Sequence, residues 1–466
     1  MLKTKIAQLV VTFFLLVSLA SVVSAQENPV GRSTQMPPQP QSPVSVPPLP
    51  PVGDVELVSE VPLVSEDATL FPVEKPLFLR QGVLVETLDG KILLEQGADQ
   101  GFNPASAIKL GTALVALRTF GPEHRFATAV WTTGTFDATT STVNGDLIIS
   151  GRDPSFHDEH AILLARELNR LGIRVVSGDL IVAPRFTMNF SASAQRSGER
   201  LYDTLDSTRR PASATRAWYE SRIATRDTAN LSTPPSVAVM GAVYVNSVPV
   251  GAKMVVTHRS SPLVDILKVL LCYSNNFMAE RLGDMLGSSE GLRRFFVNEL
   301  KIPDYEVRLA STSGLGVNRL TPRGMLKVYR ALRNELSRHG LSPADIMPVA
   351  GIDPGTLEKR YRTSPARGSI IAKTGTLIRT DGGASALVGQ FRTQSGETLL
   401  FVIFNQRGSV WRFREAQDRL IAELQFARGG PAPFSYSPHT LAMRLADTEL
   451  DRAKPANAEE YEPDSN

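Results

Sequence analysis

A serine and a lysine three residues apart, Ser106 and Lys109, are the first candidates for chemistry in this 466-residue chain. A serine hydroxyl becomes a good nucleophile when a base removes its proton, and a lysine can be that base when burial or nearby cations lower its pKa. Residues three apart share one face of a helix, so the amine could reach the hydroxyl. Because about one Ser-x-x-Lys is expected by chance in such a chain, this pair alone favours a purely structural role.

A second polar cluster, Ser274-Asn275-Asn276, interrupts two apolar, helix-like runs at 266–271 and 277–282. Polar side chains inside such a run either reach solvent at a break between helices or are hydrogen-bonded in the interior. Both alternatives remain open from the sequence.

The third cluster, Lys373-Thr374-Gly375-Thr376, follows the β-branched pair Ile370-Ile371 and precedes the apolar run 384–391. This pattern predicts an edge strand that leads through a loop into its neighbour. A Lys-Thr-Gly arises by chance in about 0.06 of chains of this length, so it is the most specific of the three signals.

The elements that must position these residues can also be predicted. Asn103 and Pro104 indicate a helix start just before Ser106, and Gly121 indicates its end. Apolar residues at 110, 113, 114 and 117 give this helix a buried stripe, and its N-terminus supplies partial positive charge where an alkoxide would form. A hairpin is predicted before it, with Asp89-Gly90-Lys91 as the turn between strands near 83–85 and 92–94.

Ser-x-x-Lys, Ser-x-Asn and Lys-Thr-Gly in this order are the signature of class A β-lactamases and penicillin-binding proteins. The chain resembles the D-alanyl-D-alanine carboxypeptidase/endopeptidase family of penicillin-binding protein 4 type, peptidase family S13. The resemblance covers about 81–182 and 261–406. Further matching stretches are Gly145–Pro154, Leu171–Ile173, Ser177–Leu180 and Met347–Asp353.

The resemblance implies an α/β fold of the β-lactamase/transpeptidase type, an antiparallel sheet flanked by helices with an inserted subdomain. It implies a serine-type D-Ala-D-Ala carboxypeptidase, with endopeptidase action as a further activity, that works on peptidoglycan stem peptides through an acyl-enzyme. β-Lactams would be covalent inhibitors, and no cofactor or metal is implied.

The resemblance also implies a role for each motif residue. Ser106 would attack the carbonyl of the penultimate D-alanine with Lys109 as the base, and the backbone N–H groups of Ser106 and Thr376 would form the oxyanion hole. Ser274 would pass a proton to the leaving amine. The remaining implied roles are Asn276 holding Lys109 and the substrate amide, Lys373 supplying positive charge, and Thr374, Gly375 and Thr376 binding the substrate with its terminal carboxylate.

Three departures from the family pattern limit the resemblance, and the first two motivate an alternative. Asn275 stands where the family has aspartate, Ser311–Gly316 replaces the usual Asp-Gly-Ser-Gly-Leu-Ser, and 186–254 shows little match. The alternative is a catalytically impaired relative that binds wall peptides or partners.

Other candidate sites are weaker. Ser289 lies in a Gly-x-Ser-x-Gly, but a helical run precedes it where a nucleophile elbow needs a strand. The six histidines lack metal-binding spacing and are expected at the surface or in loops, and the lone Cys272 is expected to be an inert buried thiol.

The chain divides into five predicted parts. They are a signal peptide (1–25), a Pro-rich spacer (26–79), a serine acyl-transferase domain (80–126 and 255–430), an inserted region (127–254) and a polar acidic tail (431–466) that is expected to be disordered from Asp447. The protein is therefore expected to be exported, periplasmic or extracytoplasmic, and membrane-associated if the signal is uncleaved. The net charge of +3 falls to about +1 without Lys3 and Lys5, which argues against nucleic-acid binding. A C-terminal helix near 413–426 is expected to pack on the sheet.

Overall fold

The computed structural model describes residues 80–227, 234–438 and 441–452. The predicted signal peptide and spacer lie outside these ranges. The strands are β1 Arg80–Thr87, β2 Ile92–Gln96, β3 Ala127–Thr132, β4 Thr135–Asp137, β5 Thr142–Asn144, β6 Leu147–Gly151, β7 Val175–Val176, β8 Leu180–Val182, β9 Ala238–Val239, β10 Val243–Val245, β11 Lys253–Arg259, β12 Ile370–Leu377, β13 Ala384–Arg392, β14 Thr398–Gln406 and β15 Glu449–Arg452.

The α-helices lie between these strands, singly or in consecutive runs. They are α1 Lys109–Phe120, α2 Asp158–Arg170, α3 Ala194–Leu205, α4 Ala212–Thr225, α5 Leu263–Tyr273, α6 Asn276–Met285, α7 Ser288–Asn298, α8 Pro322–Arg338, α9 Pro343–Ile346, α10 Glu358–Tyr361, α11 Val410–Phe426 and α12 Leu441–Ala446. Within the described ranges, none of them has the length and apolar character needed to cross a membrane.

A five-stranded antiparallel sheet in the order β12-β13-β14-β1-β2 forms the centre of the protein. Side chains alternate between its two faces, so Leu84 packs with the helices α1, α5 and α8 while Val83 and Val85 pack on the opposite face with α11. The predicted fold, an antiparallel sheet with helices on both sides, is confirmed. The hairpin β1–β2, the packing of the C-terminal helix α11 and the edge position of β12 are also as predicted.

The segment from β3 to β11 builds two further sheets. One has six strands in the order β10-β8-β6-β3-β11-β15, and the other has four in the order β4-β5-β7-β9. Apolar side chains from these strands and from α2 and α3 form a hydrophobic cluster of their own, including Val130, Leu147 and Leu164. Because β11 pairs with β3 along its length, the six-stranded sheet extends to Arg259, five residues beyond the predicted end of the inserted region at 254.

The C-terminal segment differs from the prediction of disorder after Asp447. Residues 449–452 form β15, which pairs antiparallel with β11. The acidic side chains that suggested disorder are paired with arginines of other elements, since Glu449 contacts Arg125 at 3.2 Å and Asp451 contacts Arg259 at 2.7 Å. The tail residues beyond 452 lie outside the described ranges.

Two histidines also differ from the prediction of surface or loop positions. His160 on α2 and His258 on β11 are buried, with ring centroids 4.9 Å apart. His160 receives the backbone N–H of His157 at the start of α2, and its other ring nitrogen contacts the carbonyl of Leu445. Both of its nitrogens therefore have structural partners.

Candidate active site

Ser106 lies in a 3₁₀ turn, Ala105–Ile108, which leads directly into α1. The predicted helix therefore forms, but its first turn is tighter than an α-helix, and Ala105 adopts a positive φ of 46°. Asn103 holds this conformation because its side-chain oxygen accepts the N–H of Ala105 at 3.0 Å. Gly121 ends α1 with a φ of 82°.

Lys109 points from the first turn of α1 towards Ser106. Its Nζ lies 2.9 Å from Ser106 Oγ, 2.7 Å from Asn276 Oδ1 and 2.5 Å from the carbonyl oxygen of Ser313. The side chain is fully buried. Burial lowers the pKa of Lys109 to about 7, against the opposing effect of the Glu280 carboxylate. The amine is therefore neutral in a large fraction of molecules near neutral pH.

The Ser274-Asn275-Asn276 cluster forms the break between α5 and α6, which is the first of the two alternatives that the sequence left open. Ser274 ends α5 in the left-handed conformation with a φ of 57°. Asn275 caps α6 by accepting the N–H of Met278 at 3.0 Å. A neutral side chain fills this capping role as well as an aspartate would. Asn276, the first residue of α6, is exposed and contacts Lys109.

Lys373 approaches from the opposite wall, on β12. Its Nζ donates to Ser274 Oγ at 2.8 Å and to the carbonyl of Thr374 at 2.7 Å. Burial, with a smaller effect from Lys109, lowers the pKa of Lys373 well below its ordinary value. The two lysines thus contact the two serines of the site, one lysine to each serine.

Gly375 explains how β12 can lie against the turn that carries Ser106. A Cβ at this position would lie 2.7 Å from the carbonyl oxygen of Pro104 and 3.0 Å from Cβ of Ala105. Only a residue without a side chain permits this approach, so the glycine of Lys-Thr-Gly is needed for packing.

The segment Ser311–Gly316 forms the floor of the site through its backbone. The carbonyl of Ser313 accepts from Lys109, and the N–H of Ser313 donates to Glu280 at 3.0 Å. Gly314 has a φ of 87°, and a Cβ there would lie 1.9 Å from the carbonyl oxygen of Ala105. The residues that differ from the family pattern, Ser311, Thr312 and Gly316, make neither of the two Ser313 backbone contacts. Gly314 is the same as in the family pattern.

The structure brings together all the predicted motif residues and adds four that sequence reasoning missed. Glu280 lies one turn after Asn276 on α6 and accepts from Thr312 Oγ1 at 2.9 Å. Asp381 accepts from Asn103 and from both Nη atoms of Arg319. Arg414 donates to Thr376. For Glu280, the four-residue spacing from Asn276 was a usable signal, whereas Asp381, Arg319 and Arg414 reach the site only through long-range folding.

The two weaker candidates, Ser289 and Cys272, are not part of this site. Ser289 lies in the first turn of α7, after helix α6 and not after a strand. Cys272 is buried in α5, and burial raises the pKa of its thiol to about 12, so it is unreactive at neutral pH.

The geometry allows nucleophilic catalysis by Ser106. Ser106, Ser274 and Thr376 are half-buried and Asn276 is exposed, while both lysines are inside. A substrate entering the cleft would meet hydroxyl and amide groups, with the amines directly behind them. Such a set can activate a serine, transfer protons and stabilise an anion.

Comparison with known proteins shows which family matches this sequence. The sequence profile of the D-Ala-D-Ala carboxypeptidase 3 (S13) family matches residues 79–198 and 231–424. This match is wider than the predicted 81–182 and 261–406, and it leaves only 199–230 of the inserted region unmatched. The prediction of little match over 186–254 is therefore wrong for 186–198 and 231–254, which lie within the matched ranges.

Individual relatives agree with the family match. A carboxypeptidase of Mycobacterium tuberculosis is 31% identical over 40% of this chain, and the chain spans 42% of that relative's length. A D-alanyl-D-alanine carboxypeptidase of an Actinomadura species is 26% identical over 75% of this chain and 82% of its own. Among solved structures, a predatory endopeptidase of Bdellovibrio bacteriovorus superposes with a TM-score of 0.67, covering 80% of this chain and 99% of its own at 24% identity.

Proposed function

The chain belongs to the D-Ala-D-Ala carboxypeptidase 3 (S13) family, and we propose that it is a serine-type D-Ala-D-Ala carboxypeptidase acting on peptidoglycan stem peptides through an acyl-enzyme. The observation that carries this proposal is the 2.9 Å contact between Lys109 Nζ and Ser106 Oγ, made where burial lowers the pKa of the lysine to about 7. A neutral amine at that distance can accept the hydroxyl proton.

In the acylation step, Ser106 Oγ attacks the carbonyl carbon of the penultimate D-alanine while Lys109 takes its proton. The backbone N–H groups of Ser106 and Thr376 receive the developing oxyanion, and such donors supply a large share of rate enhancement in acyl transfer. Asn276 holds the amine of Lys109 and the amide of the substrate.

The C–N bond then breaks, and the terminal D-alanine leaves as an amine that must gain a proton. Ser274 delivers this proton and regains one from Lys373, whose Nζ lies 2.8 Å from its oxygen. The proton that Lys109 took from Ser106 passes through solvent to Lys373, which leaves Lys109 neutral again. Lys109 then deprotonates a water molecule that hydrolyses the ester on Ser106, and it returns that proton to Ser106 Oγ as the ester breaks. This cycle returns both lysines to their starting protonation states.

Thr374, Gly375 and Thr376 bind the end of the substrate along the edge strand β12. The terminal carboxylate lies near the two threonine hydroxyls, and charge-assisted hydrogen bonds of this kind are stronger than neutral ones. A β-lactam carries a carboxylate and a strained amide, so it is expected to acylate Ser106 and inhibit the enzyme covalently. Cleavage of cross-links as an endopeptidase would use the same serine.

We also propose a division of the chain into two domains. Residues 80–126 and 255–430 form the acyl-transferase domain, and 127–254 form an insertion whose sheet continues to Arg259. Since the substrate is wall peptide, the enzyme works outside the cytoplasmic membrane, in the periplasm or an equivalent compartment.

Release of D-alanine from a tripeptide ending in L-Lys-D-Ala-D-Ala tests the proposed activity. The wild-type protein is expected to release one D-alanine per peptide, and Ser106→Ala to release none. Ser289→Ala, which changes the serine of the unrelated Gly-x-Ser-x-Gly, is the matched control and keeps the wild-type rate. Release by Ser106→Ala at the wild-type rate would overturn the proposal, and so would a wild-type protein that is folded and inactive.

A further inference from the structure

Helix α11 carries a guanidinium to the substrate-binding end of β12. Arg414 Nη2 lies 3.0 Å from Oγ1 of Thr376, and its guanidinium carbon lies 5.3 Å from the ring centroid of Trp411 on the same helix. Arg414 is half-buried and therefore partly accessible to solvent. None of the three sequence motifs includes α11.

The α11 carboxylate whose charge opposes the lowering of the Arg414 pKa by burial is committed to other partners. Asp418, one turn after Arg414, accepts Nε of Arg360 at 2.8 Å and the hydroxyl of Tyr361. Arg360 also donates to the backbone carbonyl of Arg414, which fixes this part of α11 against α10. Within the described ranges, Arg414 therefore makes no salt bridge with a carboxylate, and its charge is available to an anion in the cleft.

The two lysines of the site are poorer sources of fixed charge. Lys373 donates to Ser274 and to its own strand, and Lys109 donates to Ser106, Asn276 and Ser313. Burial lowers the pKa of both amines, that of Lys109 to about 7, so they hold their protons less firmly than an exposed lysine does. An arginine keeps its proton under all such conditions.

The contact with Arg414 also orients the Thr376 hydroxyl. A hydroxyl has one proton to donate and two lone pairs that accept. Because the guanidinium N–H occupies a lone pair of Thr376 Oγ1, the hydroxyl proton is free to point towards a substrate carboxylate. The positive charge of Arg414 and the hydroxyl of Thr376 thus act on the same substrate carboxylate.

Resting on the proposed function, we propose that Arg414 is the specificity-determining residue that makes the enzyme prefer peptides with a free terminal carboxylate over amidated or extended peptides. It supplies the permanent positive charge at this end of the cleft and sets the donor direction of Thr376. The role of Lys373 is then proton transfer with Ser274, and carboxylate recognition rests on α11.

The test compares kcat/KM for a D-Ala-D-Ala peptide with kcat/KM for its C-terminal amide. Arg414→Gln is expected to lower the value for the free acid about ten- to hundredfold, the loss of a hydrogen bond to a charged group, and to change the amide less than threefold. Arg414→Lys, which keeps the charge but not the planar guanidinium, should retain part of the preference. Arg412→Gln is the control, since Arg412 is an exposed arginine two residues away on the same helix.

Folding is checked by the melting temperature of each variant. If Arg414→Gln does not fold, Arg414→Met, whose straight apolar chain can still cover Trp411, is used for the same comparison. If folded Arg414→Gln and Arg414→Met both keep the wild-type preference for the free acid over the amide, the assignment of Arg414 is overturned. The proposed carboxypeptidase activity would still stand. A wild-type protein that cleaves neither peptide would instead overturn the proposed function.

Discussion

Asp381 Oδ2 accepts a hydrogen bond from Nδ2 of Asn103 at 2.7 Å, and this contact joins the loop after β12 to the turn that presents the serine nucleophile. The same carboxylate receives Nη1 and Nη2 of Arg319 at 2.9 and 2.7 Å. These hydrogen bonds, those of Arg319 first, hold the pKa of Asp381 below its ordinary value. Asn103 in turn accepts the N–H of Ala105, so the chain of contacts ends one residue before Ser106.

Replacing Asp381 with alanine is therefore expected to lower kcat about tenfold, since a small misplacement of a nucleophile is costly, while changing KM less than threefold. Steady-state kinetics with a D-Ala-D-Ala peptide measure both. Asp99→Ala removes another arginine-paired aspartate, 2.7 Å from Arg323 at the surface, and should leave kcat unchanged. Equal losses in the two variants would show that Asp381 has no special positioning role.

Gly314 and Gly396 form a matched pair of glycines, each with a φ of 87°. Alanine at either position has an unfavourable left-handed conformation, which costs about 1 kcal/mol. Only at Gly314 would the new Cβ also collide with backbone, the carbonyl oxygen of Ala105, whereas Gly396 has open space around it. Gly314→Ala should lose penicillin acylation at least a hundredfold or fail to fold, and Gly396→Ala should keep it.

Acylation rates and melting temperatures of both glycine variants provide the measurement. A Gly314→Ala protein with the wild-type acylation rate would contradict the close approach of the site floor to the Ser106 turn.

The buried ion pair between Lys268 and Asp353 lies behind the site, with both side chains fully buried and Nζ 2.7 Å from Oδ2. Lys268 also donates to the carbonyls of Ala344 and Met347, and Asp353 accepts the N–H of Val349. Lys268→Met leaves a buried carboxylate without its cation, which costs about 3–5 kcal/mol. Urea unfolding should show a much lower midpoint for this variant, and Arg259→Met, from the exposed pair with Asp451, should remain near the wild-type midpoint.

The pH dependence of acylation follows from the pKa of Lys109. The base must be neutral, and burial lowers its pKa to about 7, so the rate is expected to rise with pH through a midpoint near 7 and to level off above it. Below the midpoint the amine is protonated, and the rate should fall about tenfold per pH unit. Stopped-flow acylation by a fluorescent penicillin gives the profile. A midpoint near the ordinary lysine value would contradict the lowered pKa of Lys109, and a rate that does not change with pH over this range would mean that Lys109 is not the base.

Local patterns in the sequence were sufficient to predict the elements that carry the three motifs. The hairpin β1–β2 has a turn with suitable residues, and β12 has β-branched residues before Lys373. Asn103 accepts the Ala105 N–H in the turn that leads into α1, and Gly121 ends that helix. In each case the signal lies within a few residues of the element it predicts.

Contacts between distant segments could not be predicted in this way. Asp381 acts on Asn103 across 278 positions of sequence, and Arg414 reaches Thr376 from a different layer of the fold. The strand β15 looked like a disordered acidic tail because its arginine partners, Arg125 and Arg259, are far away in sequence. From the sequence alone, the charged side chains of such a segment are expected to be solvated, because their partners lie on distant segments.

Intact-mass measurement after treatment with benzylpenicillin tests the role of Ser106 most directly. One penicilloyl adduct per chain is expected, and peptide mapping should place it on the peptide that contains Ser106. Ser106→Ala should gain no mass, and Lys109→Ala should gain none on the same time scale, because the two residues act as one unit. An adduct on Ser274 or Ser289, or a full adduct on Ser106→Ala, would contradict the mechanism.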